Sequence, residues 1–199
     1  MARKNKTKKK EKKFDIIIVL LICMAIALLY MGYKEIKPVL DSKSLMSDLL
    51  KSSVEDAKDP LNRKIDFDKL KETNEDIVGW LYIPGTSVDY PILLGDSNDE
   101  YLYRDIEGNW TGLGSIFALK NTEEDLSNAR ICLFGHNMLY YEMFGELKRY
   151  YQEDKFRDKH QTFYVYTPDR VMELGIYSIL TCHESDDLIS NHHYFGDDD

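Results

Sequence analysis

The feature that most constrains this chain is an uncharged apolar run near its N-terminus. No charged residue occurs from Ile16 to Tyr33. Eighteen helical residues rise roughly 27 Å, close to the ~30 Å hydrocarbon core of a bilayer. The run has no polar face, which argues against a buried core helix, and it is long for a cleaved signal peptide without a clean small-x-small site after it. We therefore predict one transmembrane signal-anchor over residues 16–33.

The charge distribution predicts how this span is oriented. Residues 1–13 hold eight Lys or Arg and one acid, whereas the remainder carries 18 basic and 34 acidic residues, a net charge of −16. The positive-inside tendency keeps the basic head, residues 1–15, in the cytoplasm and sends everything after Tyr33 outside the cell membrane. The acidic outer part lacks the basic face of a nucleic-acid-binding domain, so no nucleic-acid partner is expected.

Two patterns with helical spacing follow the span. In the first, Asp41 and Ser42 can cap a helix start and Pro60 ends the pattern. In the second, Asp66 is a candidate cap and Gly79 lies just past the end. The apolar members of the two patterns are Leu45, Leu49, Leu50 and Val54, and then Phe67, Leu70 and Ile77. We predict an N-terminal helical segment that packs on the domain after it.

The periodicity then changes to the two-residue alternation of β-strands. In "GWLYIPGTSVDYPILL", residues 83–86 fit a type II turn, since Pro presets the first central φ and Gly accepts the positive second one. Val88, Tyr90 and Ile92 then share one face. Pro91 cannot donate to a ladder, which predicts an edge strand or a bulge.

Further strands are predicted in "GSIFAL", "ARICLF", "TFYVYT" and "VMELGIYSILTC", with a turn over residues 167–170 between the last two. One helical stretch lies between the second and third of these strands, with apolar residues at Tyr141, Phe144, Leu147 and Tyr151. Several short strands with one or two inserted helices favour a β-barrel or sandwich over a doubly wound sheet, which needs helices between most strands. The domain boundaries predicted are 34–78 for the helical segment and 79–199 for the β domain.

The order of several motifs resembles that of a class B sortase. These motifs are the basic head and anchor, then "GWLYIPGTSVDYPILLGDSNDEYLYRD", "GSIF" and "LFGHNMLYYEMFGELKRY". The similarity runs from about Ser42 to at least Tyr177, although "GSIF" is followed here by "ALKN", a departure from the family pattern. The resemblance implies a mainly β fold: a sortase-like β-barrel with N-terminal helices and an inserted helix, preceded by one transmembrane helix.

The resemblance also implies an activity. Class B sortases are thiol transpeptidases that anchor surface proteins to the cell wall of Gram-positive bacteria. A thiolate attacks a Thr carbonyl in a C-terminal sorting motif, and an amine of a peptidoglycan precursor or a pilin lysine resolves the thioester. In such enzymes the His after the "FG" strand works with a Cys from a "TLxTC"-like strand and an Arg from the next strand. Carried onto this chain, the His is His136, and no cofactor is implied.

The cysteine partner of His136 is harder to assign. Cys182 in "ILTCHESDD" reads like a nucleophile motif, but it closes the strand after the "YVYTPDR" hairpin, whereas the family places further structure before its nucleophile. No Arg follows Cys182, and the last one is Arg170. Parity with Leu174, Ile176 and Leu180 favours Cys182 as an apolar filler, and Cys132 is expected in the core. We therefore predict a C-terminally truncated chain with an incomplete barrel that lacks the nucleophile and the Arg.

Other interpretations of the same residues stay open. Adjacent Cys-His and His-His pairs at 182–183 and 192–193 do not match zinc-ligand spacings, so no metal site is expected. A disulfide between Cys132 and Cys182 has no support in the sequence. The chain could also be a catalytically inactive sortase fragment or a non-catalytic surface binding module. A papain-like hydrolase would need a Cys that opens a long helix, which Cys182 does not.

Overall fold

The first element is a single long helix. The computed structural model describes residues 2–139 and 141–181, with the backbone alone for residues 2–15. Helix α1 runs from Ala2 to Ser53 and passes through Pro38. The predicted helix start at Asp41 and Ser42 is therefore wrong. Asp41 instead pairs with Lys37 one turn earlier on the same helix, and Ser42 is buried, so neither side chain caps a helix.

The N-terminal part of α1 matches the sequence prediction in length and composition. The part of the helix that begins at Ile16 contains a stretch long and apolar enough to cross a membrane, and none of that stretch is buried inside the protein. The C-terminal part behaves differently, because Leu49 and Ser53 are buried against the domain. One helix thus carries an unburied apolar half and a half that packs on the β domain.

Short elements connect α1 to the sheet. They are β1 (Val54–Glu55), a 3₁₀ turn (Pro60–Asn62), β2 (Lys64–Ile65), antiparallel to β1, and helix α2 (Phe67–Thr73). The Asp66 side chain accepts a hydrogen bond from the Lys69 amide at 3.0 Å, so the predicted cap is confirmed. The helix ends at Thr73, however, and Ile77 and Gly79 belong to the next strand.

Six strands form one curled sheet in the order β6-β5-β4-β3-β7-β8. Their bounds are β3 Ile77–Tyr82, β4 Asp89–Leu93, β5 Ile116–Ala118, β6 Leu133–Phe134, β7 Thr162–Tyr166 and β8 Val171–Gly175. All neighbours are antiparallel except β4 and β5, which run parallel. Between β6 and β7 lie a 3₁₀ helix (Phe144–Lys148), α3 (Arg149–Gln152) and α4 (Asp154–Lys159). The predicted mainly β fold with an inserted helical stretch is confirmed.

The turn between β3 and β4 follows the prediction, but the proline after it does not. Gly85 has φ +80°, and the Thr86 amide donates to the Ile83 carbonyl at 3.2 Å, as a type II turn requires. Pro91 lies on β4, which has neighbours on both sides, so the edge-strand prediction is wrong. The ladder to β5 starts only at Ile92, so on that side no strand pairs with Pro91, and the one register shift lies on β3.

Two predicted strands are shorter than their apolar runs. Only residues 133–134 of "ARICLF" and residues 171–175 of "VMELGIYSILTC" pair in the sheet. The hairpin turn at 167–170 is confirmed by a hydrogen bond from the Thr167 amide to the Arg170 carbonyl at 2.9 Å. Beyond Gly175 the described backbone is irregular and Leu180 is exposed, so the strand face on which the filler role of Cys182 rested is absent from residues 176–181. Cys182 itself lies outside the described residues.

The two faces of the sheet bury separate cores. One cluster includes Val88, Tyr90 and Ile92, which confirms that these residues share a face, and it packs against the helices between β6 and β7. The other cluster joins Leu49 of α1 and Leu70 of α2 to the opposite face of the sheet. Alternation along the strands produces this division, because successive side chains point to opposite faces. The predicted packing of both helical patterns on the β domain is confirmed.

Candidate active site

His136 lies immediately after β6, where the strand leaves the sheet. Gly135 precedes it, and a Cβ at that position would lie 2.3 Å from Ile116 Cδ1 and 3.1 Å from the Phe144 ring. A larger residue here would displace the Ile116 methyl group and crowd the Phe144 ring, whereas glycine packs against both without adjustment. The "FGH" sequence therefore ends a strand against its neighbour and places the imidazole at the rim of the sheet.

One hydrogen bond fixes the His136 ring. Its Nε2 lies 2.7 Å from the Leu102 carbonyl oxygen, and the ring is tilted against Tyr103 with centroids 5.2 Å apart. Because a carbonyl only accepts, Nε2 carries the proton of this bond. Among the residues that the structure describes, none hydrogen-bonds Nδ1. The half-buried ring is thus oriented through one nitrogen, and the other is left for proton exchange.

The loop that carries Leu102 is itself held firmly. The Tyr101 hydroxyl donates to Asp76 at 2.6 Å and accepts from Asn74 at 2.8 Å. Burial raises the pKa of Tyr101, so its hydroxyl keeps the proton that this bond needs. Gly114 packs against the same loop with φ +59°, and a Cβ there would lie 2.3 Å from the Leu102 oxygen. The carbonyl that orients His136 is therefore part of a close-packed scaffold.

The segment after His136 is anchored on both sides. The His136 carbonyl accepts from the Phe144 amide at 2.9 Å, which closes a loop whose described residues are 137–139 and 141–143. Tyr141 and Met143 have positive φ angles of 64° and 50°, which non-glycine residues rarely adopt. Glu142 forms an ion pair with Lys43 of α1 at 2.6 Å, so helix α1 contacts the loop that follows the histidine.

Glu146 holds the far end of that loop to the β3–β4 turn. Its carboxylate accepts from the Ser87 amide and pairs with Arg149 at 2.7 Å. Burial opposes the charged form, but these donors outweigh it and lower the pKa of Glu146. The Ser87 hydroxyl also donates to the Tyr141 carbonyl. The predicted helical stretch is thus partly right, since its regular part begins at Phe144 and Tyr141 precedes it in a strained loop.

None of the described cysteines is placed as a nucleophile for His136. Within residues 2–139 and 141–181, no Cys or Arg hydrogen-bonds the His136 ring. Cys23 is exposed on the apolar part of α1. Cys132 is half-buried just before β6, and burial raises its pKa against the opposing effect of Arg130, which favours an unreactive thiol. The prediction that Cys132 lies in the core is wrong, because the side chain is only half-buried and β6 begins one residue later.

Two groups of residues singled out in the sequence remain: Arg170, the last arginine in the chain, and the Cys-His and His-His pairs weighed as zinc ligands. The Arg170 guanidinium donates to the carbonyls of Asp125 (3.2 Å) and Leu126 (2.9 Å), so its hydrogen bonds serve the loop packing. The residues weighed as zinc ligands, at 182–183 and 192–193, lie outside the described part of the chain, and within that part no group of three or more His, Cys, Asp or Glu could hold a metal.

A separate cavity of about 290 Å³ lies between α1 and β4. Met46, Tyr90 and Glu142 line it, together with Ser115 from the loop that ends at β5. His136 does not line this cavity, so the cavity and the histidine are different places in the fold. Sequence reasoning also missed Leu102 and Tyr103 as partners of His136, although both lie in the matched motif "DEYLYRD".

Comparison with known proteins places this fold in a class. The crystal structure of sortase B from B. anthracis in complex with AAEK1 superposes with a TM-score of 0.59 at 28% identity, over 77% of each chain. Sortase B of Staphylococcus aureus is 30% identical over 154 residues, which are 75% of this chain and 62% of that protein. Sortase B of Listeria monocytogenes is 42% identical over 95 residues, which are 47% of this chain and 38% of that protein. No family model matches the chain.

The curled sheet with its helical insertion therefore defines a sortase-type barrel domain. Within that class, the chain is similar to the sortase B proteins of three bacteria. It spans less than two thirds of the length of the two curated relatives that it matches.

Proposed function

We propose that this chain serves a sortase-type transpeptidation in which His136 exchanges protons with a cysteine nucleophile. The observation that carries the proposal is the single bond from Nε2 to the Leu102 carbonyl, which fixes the ring and leaves Nδ1 without a partner among the described residues. A histidine kept only for packing would be expected to satisfy both nitrogens or to bury its ring. The similarity of the chain to sortase B proteins supports the assignment.

The proposed reaction has two halves. A thiolate adds to the Thr carbonyl carbon of a sorting motif, the C–N bond breaks, and His136 delivers a proton from Nδ1 to the leaving amine. An acceptor amine then attacks the thioester, the C–S bond breaks, and a proton returns to the histidine. A thiol with pKa ~8.5 is mostly protonated at neutral pH, so a neighbouring imidazolium helps populate the thiolate. The nucleophile is a cysteine outside the described residues, and Cys182 is the candidate in this sequence. In such a reaction an arginine can stabilise the oxyanion.

The proposed setting is the outer surface of the cell membrane. The apolar part of α1 spans the bilayer as a single pass, with the basic head in the cytoplasm and the sortase domain outside. Its exposed apolar side chains support this placement, since water is a poor surrounding for them. The proposed partners are surface proteins that carry a C-terminal sorting motif, and the acceptor is a peptidoglycan precursor amine or a pilin lysine.

A transpeptidation assay tests the assignment of His136. The intact gene product, purified with its N-terminal helix, is incubated with a fluorescent peptide that carries a Pro- and Thr-containing motif, and hydroxylamine serves as a small amine that intercepts thioesters. We expect product from the parent and from a His160→Gln control, since His160 stacks on Phe156 away from His136. Loss of product is expected for His136→Ala. Product formation by that variant at the parent rate would falsify the proposal.

A non-catalytic surface module is the second candidate, and one observation favours it: within the described residues no thiol is bonded to His136. This alternative predicts that no cysteine becomes acylated. Intact-mass spectrometry after incubation with the peptide distinguishes the two, and repeating it with Cys182→Ala tests whether that residue is the thiol concerned. A peptide adduct on any cysteine removes the binding-module alternative.

A further inference from the structure

The two tryptophans of the chain have opposite surroundings. Trp80 on β3 is fully buried, whereas Trp110 is 59% exposed at the end of a hairpin loop. Tyr103, at the other end of that loop, is also about half exposed. Large aromatic side chains lose free energy when they stay in water, so a rigidly held and exposed Trp indicates a surface that some apolar or amphipathic partner covers.

The loop that presents Trp110 is rigid. Asp105 is buried, and its carboxylate accepts from the amides of Glu107 (3.0 Å) and Asn109 (2.9 Å). The Asp105 amide also donates to the Asn109 carbonyl at 2.9 Å, and Gly108 supplies the positive φ of +82° that the tight turn needs. The exposure of Trp110 is therefore imposed by the backbone around it and is not a feature of a loose chain end.

The position of this hairpin relative to α1 suggests what covers it. A groove between the two elements is lined on the helix side by Tyr30, Tyr33, Lys34, Lys37, Pro38 and Asp41, and on the hairpin side by Asp105, Glu107, Asn109 and Trp110. The uncharged run of α1 ends at Tyr33. Trp110 consequently lies beside the outer end of the apolar segment, at the level where Tyr30 and Tyr33 are exposed on the helix.

We propose that Trp110 is a membrane-interface contact, which forms with Tyr30 and Tyr33 an aromatic belt in the headgroup region of the outer leaflet. Trp and Tyr favour this region because an apolar ring and a polar tip suit its two environments. The groove carries charges of both signs, with Lys37 paired to Asp41, so the contact does not depend on anionic lipid. The inference rests on the proposed membrane span of α1.

This contact would fix where the catalytic histidine lies. The hairpin begins directly after Leu102 and Tyr103, which hold the His136 ring by a hydrogen bond and a ring contact. The Thr111 amide donates to the Tyr103 carbonyl at 2.9 Å and closes the same hairpin. One short segment therefore touches both the proposed bilayer surface and His136. A substrate bound at the membrane surface would therefore reach His136 while it remains at that surface.

Tryptophan quenching in vesicles tests the contact. The full chain is reconstituted into phosphatidylcholine vesicles with or without a nitroxide label on the lipid headgroup, and Trp110→Phe is prepared in parallel. Trp80 is the internal reference, since it is buried in the protein. We expect the headgroup label to quench the parent and to leave the emission of Trp110→Phe unchanged. Aqueous iodide should quench the parent less in vesicles than in detergent micelles.

Flotation of the same vesicles separates the two ways in which the inference can fail. If the chain does not float after a carbonate wash, the membrane span is wrong and the interface contact is wrong with it. If the chain floats but the headgroup label quenches the parent no more than Trp110→Phe, the span stands and the contact is overturned. Equal access of iodide to Trp110 in vesicles and in micelles would overturn it as well.

Discussion

Two nitrogen-bearing side chains of this domain, Arg63 and His136, are held in contrasting ways. Arg63 is 5% exposed, makes two hydrogen bonds to the Asp89 carboxylate at 2.9 and 2.7 Å, and lies 4.4 Å from the centre of the Tyr82 ring. His136 is half-buried and has one hydrogen bond, to Leu102. The first side chain is held by a two-point pair with a carboxylate, whereas the second leaves a ring nitrogen free of protein partners among the described residues.

The surroundings of Arg63 explain why its site suits stability. Asp89 also accepts from Trp80 Nε1 at 2.6 Å, so one carboxylate joins β3, β4 and the segment that precedes α2. Burial alone would lower the pKa of Arg63, but Asp89 outweighs it and raises that pKa. Arg63 Nε lies 3.0 Å from an exposed Asp56 carboxylate without a directed hydrogen bond. A buried charge that is paired in this way fixes structure, while an imidazole nitrogen with no partner among the described residues is available for chemistry.

The largest effect is expected at Arg63. Arg63→Met removes the partner of Asp89 and leaves a carboxylate in a largely buried site, which should lower the free energy of unfolding by about 3–5 kcal/mol. Lys64→Met is the matched control, because Lys64 is the next residue and its side chain is exposed. Among the described residues its ion pair is a 3.7 Å contact with the exposed Glu55. Urea unfolding followed by tryptophan emission measures both variants. Equal stability of the two variants would show that the Arg63 network does not stabilise the fold.

A smaller effect is expected on the side of the histidine. Gly114→Ala introduces a Cβ 2.3 Å from the Leu102 oxygen at a residue with positive φ, so the carbonyl that orients His136 must move. We expect a loss of about 1–3 kcal/mol in the free energy of unfolding. Gly112→Ala, which meets no atom within 4 Å, is the control. The NMR signal of the His136 ring should shift in Gly114→Ala and not in Gly112→Ala. An unshifted signal in Gly114→Ala would show that Gly114 does not influence the position of the ring.

The sequence predicts correctly those features that depend on residues close together in the chain. The Asp66 cap, the type II turn at Gly85 and the hairpin at 167–170 depend on residues within four positions, and all three were predicted. Pro91 predicts an edge strand or a bulge, but β4 has neighbours on both sides. The proline is accommodated because the pairing with β5 begins only at Ile92, and local sequence does not determine where that pairing begins. The predicted helix start at Asp41 and Ser42 is wrong for a similar reason, since packing against the sheet stabilises one continuous helix through these residues.

The candidate site shows the same limit. His136 was predicted through its resemblance to a family motif, and Gly135 before it is explained by close packing on Ile116. The hydrogen-bond partner of the ring is a backbone carbonyl 34 residues earlier in the chain. A carbonyl has no residue-specific signature, so no pattern in the sequence could mark Leu102. Tyr103 is recognisable in the sequence as an aromatic residue of the matched motif, but the sequence does not indicate which ring it contacts.

The smallest effect on stability is expected at His136 itself. His136→Ala removes one hydrogen bond from a half-buried ring and leaves the Leu102 carbonyl near solvent, so the free energy of unfolding should fall by about 0.5–1.5 kcal/mol. Urea unfolding of the same preparations used for Arg63→Met gives the comparison. A loss as large as that of Arg63→Met would mean that the histidine is part of the structural network. A small loss of stability combined with complete loss of transpeptidation would assign the ring to chemistry. Replacing a residue that serves only packing would reduce the activity only by destabilising the fold.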